Sequence, residues 1–201
     1  MVEDRQGGPQ PGLGGIWQRW RRSTLEARAR QEAAHALYAG LVGLARDPAY
    51  YLDGGVPDTN DGRLEMVGLH VALAMRRLAR EGQPGRDLAR ALMELMVDDV
   101  DRSLRELGVS DLAVGKKVKG IAASFRGRAA ALEAALAADD REALATMLLR
   151  NLYLSGQVPT ERQVLAVADR LLELDRAFAR ADAASMLAGR LGEPAGSGTG
   201  R

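Results

Sequence analysis

The segment SDLAVGKKVKG contains the pair Gly115-Lys116, which resembles the core of a phosphate-binding loop. Such a loop needs G-x-x-x-x-G-K-[ST] after a strand, so that backbone amides wrap a phosphate and a hydroxyl reaches magnesium. Here Gly108 precedes Gly115 by seven residues instead of five, and Lys117 occupies the hydroxyl position. A helix, not a strand, is predicted before the segment. The spacing therefore argues against a nucleotide site.

The lysines of this segment form a basic cluster at the start of a predicted helix. Lys116 and Lys119 fall on the face opposite Val118, so the pattern favours a solvated face. Further arginines downstream extend the positive charge, which keeps a binding surface open as the alternative. The candidate partner-binding residues of the cluster are Lys116, Lys117 and Lys119.

Acidic side chains crowd another predicted helix. Glu94, Asp98 and Asp101 share one face at i, i+4 and i+7. A metal site needs several converging oxygen ligands or a histidine partner, and neither of the two histidines lies in a metal-binding helical motif. We interpret this face as solvated and ion-paired, and we predict no metal.

His70 lies in the apolar stretch EMVGLHVALAM. Because no nucleophile is visible beside it, we expect a partly buried histidine with satisfied hydrogen bonds. The competing hypothesis is a hydrolase or metal-dependent phosphotransferase that uses His70 with Asp98 and Asp101. It requires these groups to lie within hydrogen-bonding reach of a common substrate.

The segment IWQRWRR, near the N-terminus, combines tryptophan with arginine. This composition is typical of a helix at a membrane interface. Equally, the two tryptophans could pack this segment onto the rest of the domain. The membrane-interface candidates are Trp17, Trp20, Arg19, Arg21 and Arg22.

Composition narrows the class of protein. The 201 residues are 46% hydrophobic but only 4% aromatic, which favours a core of packed helices. There is no cysteine, which excludes disulfides, cysteine nucleophiles and thiolate metal sites. The net charge of +1 creates no global attraction for nucleic acid, and we predict no DNA partner. No signal peptide is predicted, and the best apolar stretch is too short to span a bilayer.

Hydrophobic periodicity predicts an all-α fold, a single-domain bundle of about six helices. Predicted capping boxes are STLE, with Ser23, and TERQ, with Thr160, and Asp139 is the predicted cap of a further helix. Pro48 should end the first helix near Arg46. We predict a disordered or interfacial segment over 1–22, a helical domain over 23–191 and a disordered tail over 192–201.

Three stretches together resemble the ubiquinol–cytochrome c chaperone family of cytochrome bc1 assembly factors. They are YAGLVGLARDPAYYLDGGVPDTNDGRLEMVGLHVALAMRRL (38–78), ALMELMVDDVDRSLRELGVSDLAVGKKVKGIAASFRGR (91–128) and, more weakly, LLRNLYLSG (148–156). Leu64 stands where the family pattern has phenylalanine after Gly-Arg, and Val97 where an aromatic residue sometimes occurs. Both changes keep an apolar side chain. The last 45 residues carry no motif of the family.

The resemblance implies a chaperone domain without catalytic activity, cofactor or small-molecule substrate. Mitochondrial relatives bind newly made cytochrome b near the ribosome exit. The implied partners are therefore cytochrome b or a bc1 assembly intermediate, with the ribosome and the membrane surface as further candidates. The implied location is cytoplasmic, peripheral to the cytoplasmic face of the inner membrane. Beside the lysines, the expected contact residues are Asp58, Asp61 and Arg63. A basic adaptor for ribosome or RNA remains the alternative.

Overall fold

The computed structural model describes residues 13–154 and 158–191, with backbone only for residues 13–23 and Leu112. Within these residues the chain forms eight α-helices and no strand, which confirms the all-α prediction. Six of the helices have eleven residues or more, as expected for a bundle of about six. The helices are α1 (Leu13–Ala45), α2 (Pro48–Leu52), α3 (Asn60–Leu78), α4 (Gly82–Glu106), α5 (Asp111–Ala137), α6 (Arg141–Asn151), α7 (Glu161–Arg180) and α8 (Ala183–Leu187).

Helix α3 is the centre of the bundle, in contact with α1, α4, α5 and α7. All six residues from Leu69 to Ala74 are buried, so this helix turns every face towards a neighbour. A helix that is apolar all round must be enclosed to be stable in water. The surrounding core consists mainly of leucine, alanine, valine and methionine, as the low aromatic content predicted.

Arg77 fastens the end of α7 to α3. Its side chain is buried, and its guanidinium donates hydrogen bonds to the carbonyls of Phe178 and Ala181, each at 2.9 Å. It also pairs with Glu81. The last carbonyls of a helix lack partners within the helix and carry partial negative charge. Arg77 supplies both the missing hydrogen-bond donors and a positive charge at the end of α7.

Two further arginines hold α5 against the centre. Arg128 on α5 pairs with Glu65 on α3 at 2.8 Å, and both side chains are about four-fifths buried. Arg76 on α3 reaches Glu133 on α5 at 3.3 Å. These ion pairs lie along the middle and end of α5, whereas at its start Asp111 pairs with Arg105 of α4 and both side chains are exposed.

Helix boundaries confirm some predicted caps and correct others. Thr160 forms the predicted capping box with Gln163, and α1 ends at Ala45, just before Pro48. The capping box at Ser23 was wrong, because α1 begins at Leu13 and runs through it. No proline interrupts this part of the helix, so the STLE pattern did not mark a start.

The cap of α6 was also misplaced, by one residue. The Asp140 carboxylate accepts hydrogen bonds from the amides of Glu142 (3.0 Å) and Ala143 (2.9 Å), whereas Asp139 adopts a positive φ of 50°. Either of the two adjacent aspartates could have capped the helix, and the tight turn after α5 places Asp140 in the capping position.

The last part of the predicted helical domain, up to residue 191, contains two helices, α7 and α8. The predicted disorder of 192–201 and of the first twelve residues lies outside the described residues.

Candidate binding cleft

A cleft of about 350 Å³ opens where the first turns of α3 meet α1, α5 and the second half of α4. Its floor is aliphatic, and most of these side chains are only half-buried. Leu107, at the end of α4, is 61% exposed. The aliphatic side chains that line the cleft include Val42, Leu64, Val67, Leu104, Leu107 and Ile121. Apolar surface gathered in a concavity is typical of a site that binds a partner or ligand.

A tyrosine–aspartate pair forms part of the cleft wall. The Tyr38 hydroxyl donates a hydrogen bond to Asp99 Oδ2 at 2.9 Å, which joins α1 to α4. Burial and the bond to Asp99 raise the pKa of Tyr38 well above its usual value, so the hydroxyl keeps its proton. Within the described residues Asp99 Oδ1 has no hydrogen-bond partner, which leaves one carboxylate oxygen available to a bound group.

The predicted residues of the α3 start come together at the rim. Asp61 and Arg63 both line the cleft, and the Asp58 carboxylate accepts a 2.6 Å hydrogen bond from Arg63 Nε. This bond lowers the pKa of Asp58, so the pair stays ionised at neutral pH. Both partners are more than half exposed, so the pair fixes the position of the groups more than it stabilises the fold.

Local geometry explains how the chain holds this rim. The Thr59 hydroxyl caps α3 by accepting the amide of Gly62 at 3.1 Å, which places Asp61 in the first turn. At Gly62 a Cβ atom would lie 2.1 Å from the carbonyl oxygen of Pro57, so only glycine fits this close approach. The loop before α3 is thereby packed directly on the helix start.

The three predicted lysines lie beside the cleft and not in it. Lys116, Lys117 and Lys119 are all exposed, and none has an ion pair with another described residue. Ile121 of the same helix does line the cleft. Because Lys117 precedes Ile121 by four residues, it lies on the cleft side of α5. The structure thus brings Asp61 and Arg63 into the cleft and sets the lysines on its margin.

The structure does not assemble the groups of the competing hydrolase hypothesis. Asp98 is exposed to solvent, and Asp101 accepts a 2.7 Å hydrogen bond from Arg105. His70 is completely buried in α3. A site that uses these three groups together is therefore not formed.

His70 has a structural role that the sequence only partly predicted, since it is fully rather than partly buried. Its Nδ1 donates to the carbonyl of Met66 at 2.8 Å, and its Nε2 lies 3.4 Å from the hydroxyl of Tyr50. Burial lowers the pKa of His70 to about 4, so the ring is neutral at pH 7. Both ring nitrogens are thus occupied by the protein itself.

Two of the predictions concern metal binding and contact with a membrane. Over the described ranges, no group of three or more histidine, aspartate or glutamate side chains could hold a metal ion. The described helices include none whose apolar stretch would cross a bilayer. The side chains of the membrane-interface candidates, Trp17, Trp20, Arg19, Arg21 and Arg22, lie outside the described residues, so that assignment stays a prediction.

Sequence reasoning missed part of the cleft. Tyr38 and Asp99 are 61 residues apart, and no local pattern connects them. The other lining residues come together only because α1, α3, α4 and α5 pack against one another.

These features define an all-α binding domain with an apolar, charge-rimmed cleft. The family model described as Ubiquinol-cytochrome C chaperone matches residues 52–193, and the chain belongs to this family. Among solved structures, the crystal structure of the Cbp3 homolog from Brucella abortus is similar, with 33% sequence identity and a TM-score of 0.75. That match covers 87% of this chain and 93% of the other. No curated protein matches the chain.

Family membership supports a general role as an assembly chaperone of the bc1 complex, and it implies a protein without catalytic activity. The family match also extends through α7 and α8, which carry no motif recognised in the sequence. Helix α7 packs against α3 and α6, and α8 contacts α1 and α4, so both helices are part of the same bundle.

Proposed function

We propose that this protein binds newly made cytochrome b, or an early bc1 assembly intermediate, and promotes its assembly without catalysis. The observation that carries the proposal is the cleft at the start of α3, whose apolar floor is open to solvent in the folded chain. A chaperone for a hydrophobic subunit needs such a surface, because it must replace water around apolar segments of its client.

The proposed contact surface combines the cleft rim with the adjacent lysines. Rim charges orient a partner and speed its encounter more than they add affinity. The surface consists of Asp58, Asp61, Arg63, Lys116, Lys117 and Lys119. Cytochrome b is a membrane protein, and we place the encounter at the cytoplasmic face of the inner membrane. The basic, tryptophan-containing start of α1 would give peripheral membrane contact there.

The test is genetic and biochemical. Deleting the gene should lower the amount of assembled bc1 complex while leaving the transcripts of its subunits unchanged. Crosslinking in cells should join Lys116, Lys117 or Lys119 to cytochrome b, as identified by mass spectrometry. Normal bc1 levels in the deletion strain would contradict the proposal.

Variants of the lysine cluster sharpen the test. Complementation with Lys116→Glu, Lys117→Glu and Lys119→Glu together should restore less bc1 complex than the wild-type gene. The matched control reverses three other exposed cations that have no ion pair within the described residues: Arg150, Arg162 and Arg180. Equal loss with both triple variants would mean that net charge, and not this surface, matters.

A basic adaptor for ribosome or RNA is the second candidate, and it is favoured by the exposed lysines of α5, which form no ion pair with the described part of the chain. Such binding would weaken steeply with salt, since each phosphate contact releases counterions. Electrophoretic mobility assays with ribosomal RNA at two salt concentrations would measure it. Absence of binding, or binding that is insensitive to salt, removes this candidate.

A further inference from the structure

The charged groups that line the cleft are unbalanced in favour of carboxylates. Asp61, Asp99 and Glu106 face two arginines, Arg46 and Arg63. Because Asp58 already pairs with Arg63, only Arg46 remains against the three lining carboxylates. None of the three forms an ion pair with another described residue. The cleft therefore has unused capacity to bind a cation.

Asp99 is the most specific of these carboxylates. It is half-buried in the wall, and the Tyr38 hydroxyl holds its Oδ2 at 2.9 Å. Its Oδ1 remains without a partner among the described residues, next to the aliphatic floor. A carboxylate that is fixed in place and partly removed from water binds a guanidinium or ammonium group more strongly than an exposed one does.

We propose that the cleft binds a helical client segment in which a basic residue lies beside a row of apolar side chains. The apolar side chains, spaced at i, i+3 and i+4, would occupy the floor, and the cation would reach Asp99. The client's identity rests on the proposed function. Membrane proteins carry an excess of lysine and arginine at the cytoplasmic ends of their spans, which is the required combination.

The same charges discriminate between occupants. An RNA strand or an anionic lipid surface would place phosphates against three carboxylates, which is unfavourable. These partners suit the outer face of α5, where Lys116, Lys119 and Arg126 are exposed. A second copy of the chain could also cover the cleft, and this occupant is an outcome of the test below.

The test measures peptide binding to the full-length purified protein by fluorescence anisotropy. The probe is a labelled amphipathic peptide of about 16 residues, or four to five helical turns, with leucines at i, i+3, i+4 and i+7. One version carries an arginine beside the leucines, and the other carries a glutamate at the same position. The arginine peptide should bind about tenfold more tightly.

Matched variants locate the effect. Asp99→Asn should weaken the arginine peptide about fivefold and reduce its advantage over the glutamate peptide. Asparagine keeps the acceptor oxygen for Tyr38, so the fold should persist, as circular dichroism can verify. The control is Asp98→Asn, which removes an exposed charge one residue away, outside the cleft lining, and should leave affinity unchanged.

A second pair of variants tests the apolar floor. Leu107→Ser should weaken both peptides, whereas Leu154→Ser should weaken neither, because Leu154 is 77% exposed but does not line the cleft. Neither change removes a buried side chain, so both variants should fold.

Three results would overturn the proposal. In the first, the two peptides bind equally well. In the second, Asp98→Asn and Asp99→Asn weaken binding to the same extent. In the third, light scattering shows a dimer that Leu107→Ser dissociates, which would assign the cleft to a second copy. Failure of the proposed function can be distinguished from failure of this proposal. It would appear as normal bc1 levels in the deletion strain, regardless of how the peptides bind.

Discussion

Helices α3 and α5 are both long, yet their surroundings differ sharply. Around α3 the neighbours bury every residue from 69 to 74, whereas none of the ten α5 residues from 115 to 124 is fully buried. At its start, α5 is joined to α4 by the exposed Arg105–Asp111 ion pair, whereas the half-buried ion pairs that join α5 to α3 begin with Arg128. The packing of α3 therefore stabilises the fold, while residues 115–124 of α5 leave their side chains partly or fully in solvent.

Polar groups in the two helices differ in the same way. On α3, His70 and Arg77 bond to groups of this chain and are buried with their partners. On α5, Lys116, Lys117 and Lys119 have no ion pair within the described residues. A buried polar group that forms hydrogen bonds within the protein contributes to the folded structure. A cluster of exposed charges without ion pairs is instead available to bind a partner.

The largest expected effect is a cavity in the central helix. Leu73→Ala should lower the free energy of unfolding by about 3 kcal/mol, because Leu73 has no exposed surface and its loss leaves a void. Urea denaturation followed by circular dichroism measures this. The control Leu107→Ala, in the cleft, should cost less than about 1 kcal/mol, because that side chain is already mostly in water. Equal losses would contradict the contrast between the two regions.

Lowering the pH should also destabilise the protein, through His70 on α3. The unfolded chain has a histidine pKa near 6.5 and the folded chain has one of about 4, so the unfolded state binds the proton more readily. Stability from neutral His70 is present above pH 6.5 and falls by up to about 3 kcal/mol as the pH drops towards 4.

The control for this prediction is His70→Gln, which does not titrate and still offers an acceptor to Tyr50. Its free energy of unfolding should decline less steeply between pH 6.5 and 4 than that of the wild type. Carboxylates such as Asp58 and Asp182, whose pKa values are lowered in the fold, contribute equally to both proteins. Parallel curves would show that His70 does not govern the acid response.

A smaller effect, of opposite sign, is expected on α5. A Cβ atom at Gly115 or Gly120 would contact nothing within 4 Å. Exposed glycine disfavours a helix by about 1 kcal/mol relative to alanine, so each Gly→Ala change should stabilise the isolated protein by about that amount. Thermal unfolding measures the gain. Destabilisation would mean that α5 is packed more closely than its exposure indicates. If a partner approaches this face closely, the same variants should support less bc1 assembly.

The smallest expected effect on stability comes from the lysines. Replacing Lys116, Lys117 and Lys119 with glutamine should change the free energy of unfolding by less than about 0.5 kcal/mol, since exposed unpaired charges contribute little. Chemical denaturation checks this, and normal unfolding combined with impaired assembly would separate binding from folding. A large loss of stability would instead show that the cluster has a structural function.

Local patterns predicted the helices well where the signal lay within one or two turns. Pro48 marked the end of α1, and the Thr160–Gln163 box marked the start of α7. The Ser23 box failed because a capping pattern is also compatible with the interior of a longer helix. At Asp139–Asp140 the two registers were locally equivalent, and the turn between α5 and α6 selected the second.

The all-α class, the basic cluster at the start of α5 and the failure of the phosphate-loop pattern could be predicted from the chain alone, because they depend on composition, periodicity and spacing. The family followed from the resemblance of three stretches to known members. In contrast, the sequence did not predict that His70 is fully enclosed or that Asp99 meets Tyr38 beside an apolar cleft. Burial and pairing depend on which helices pack together, and no local pattern connects residues that lie 61 positions apart.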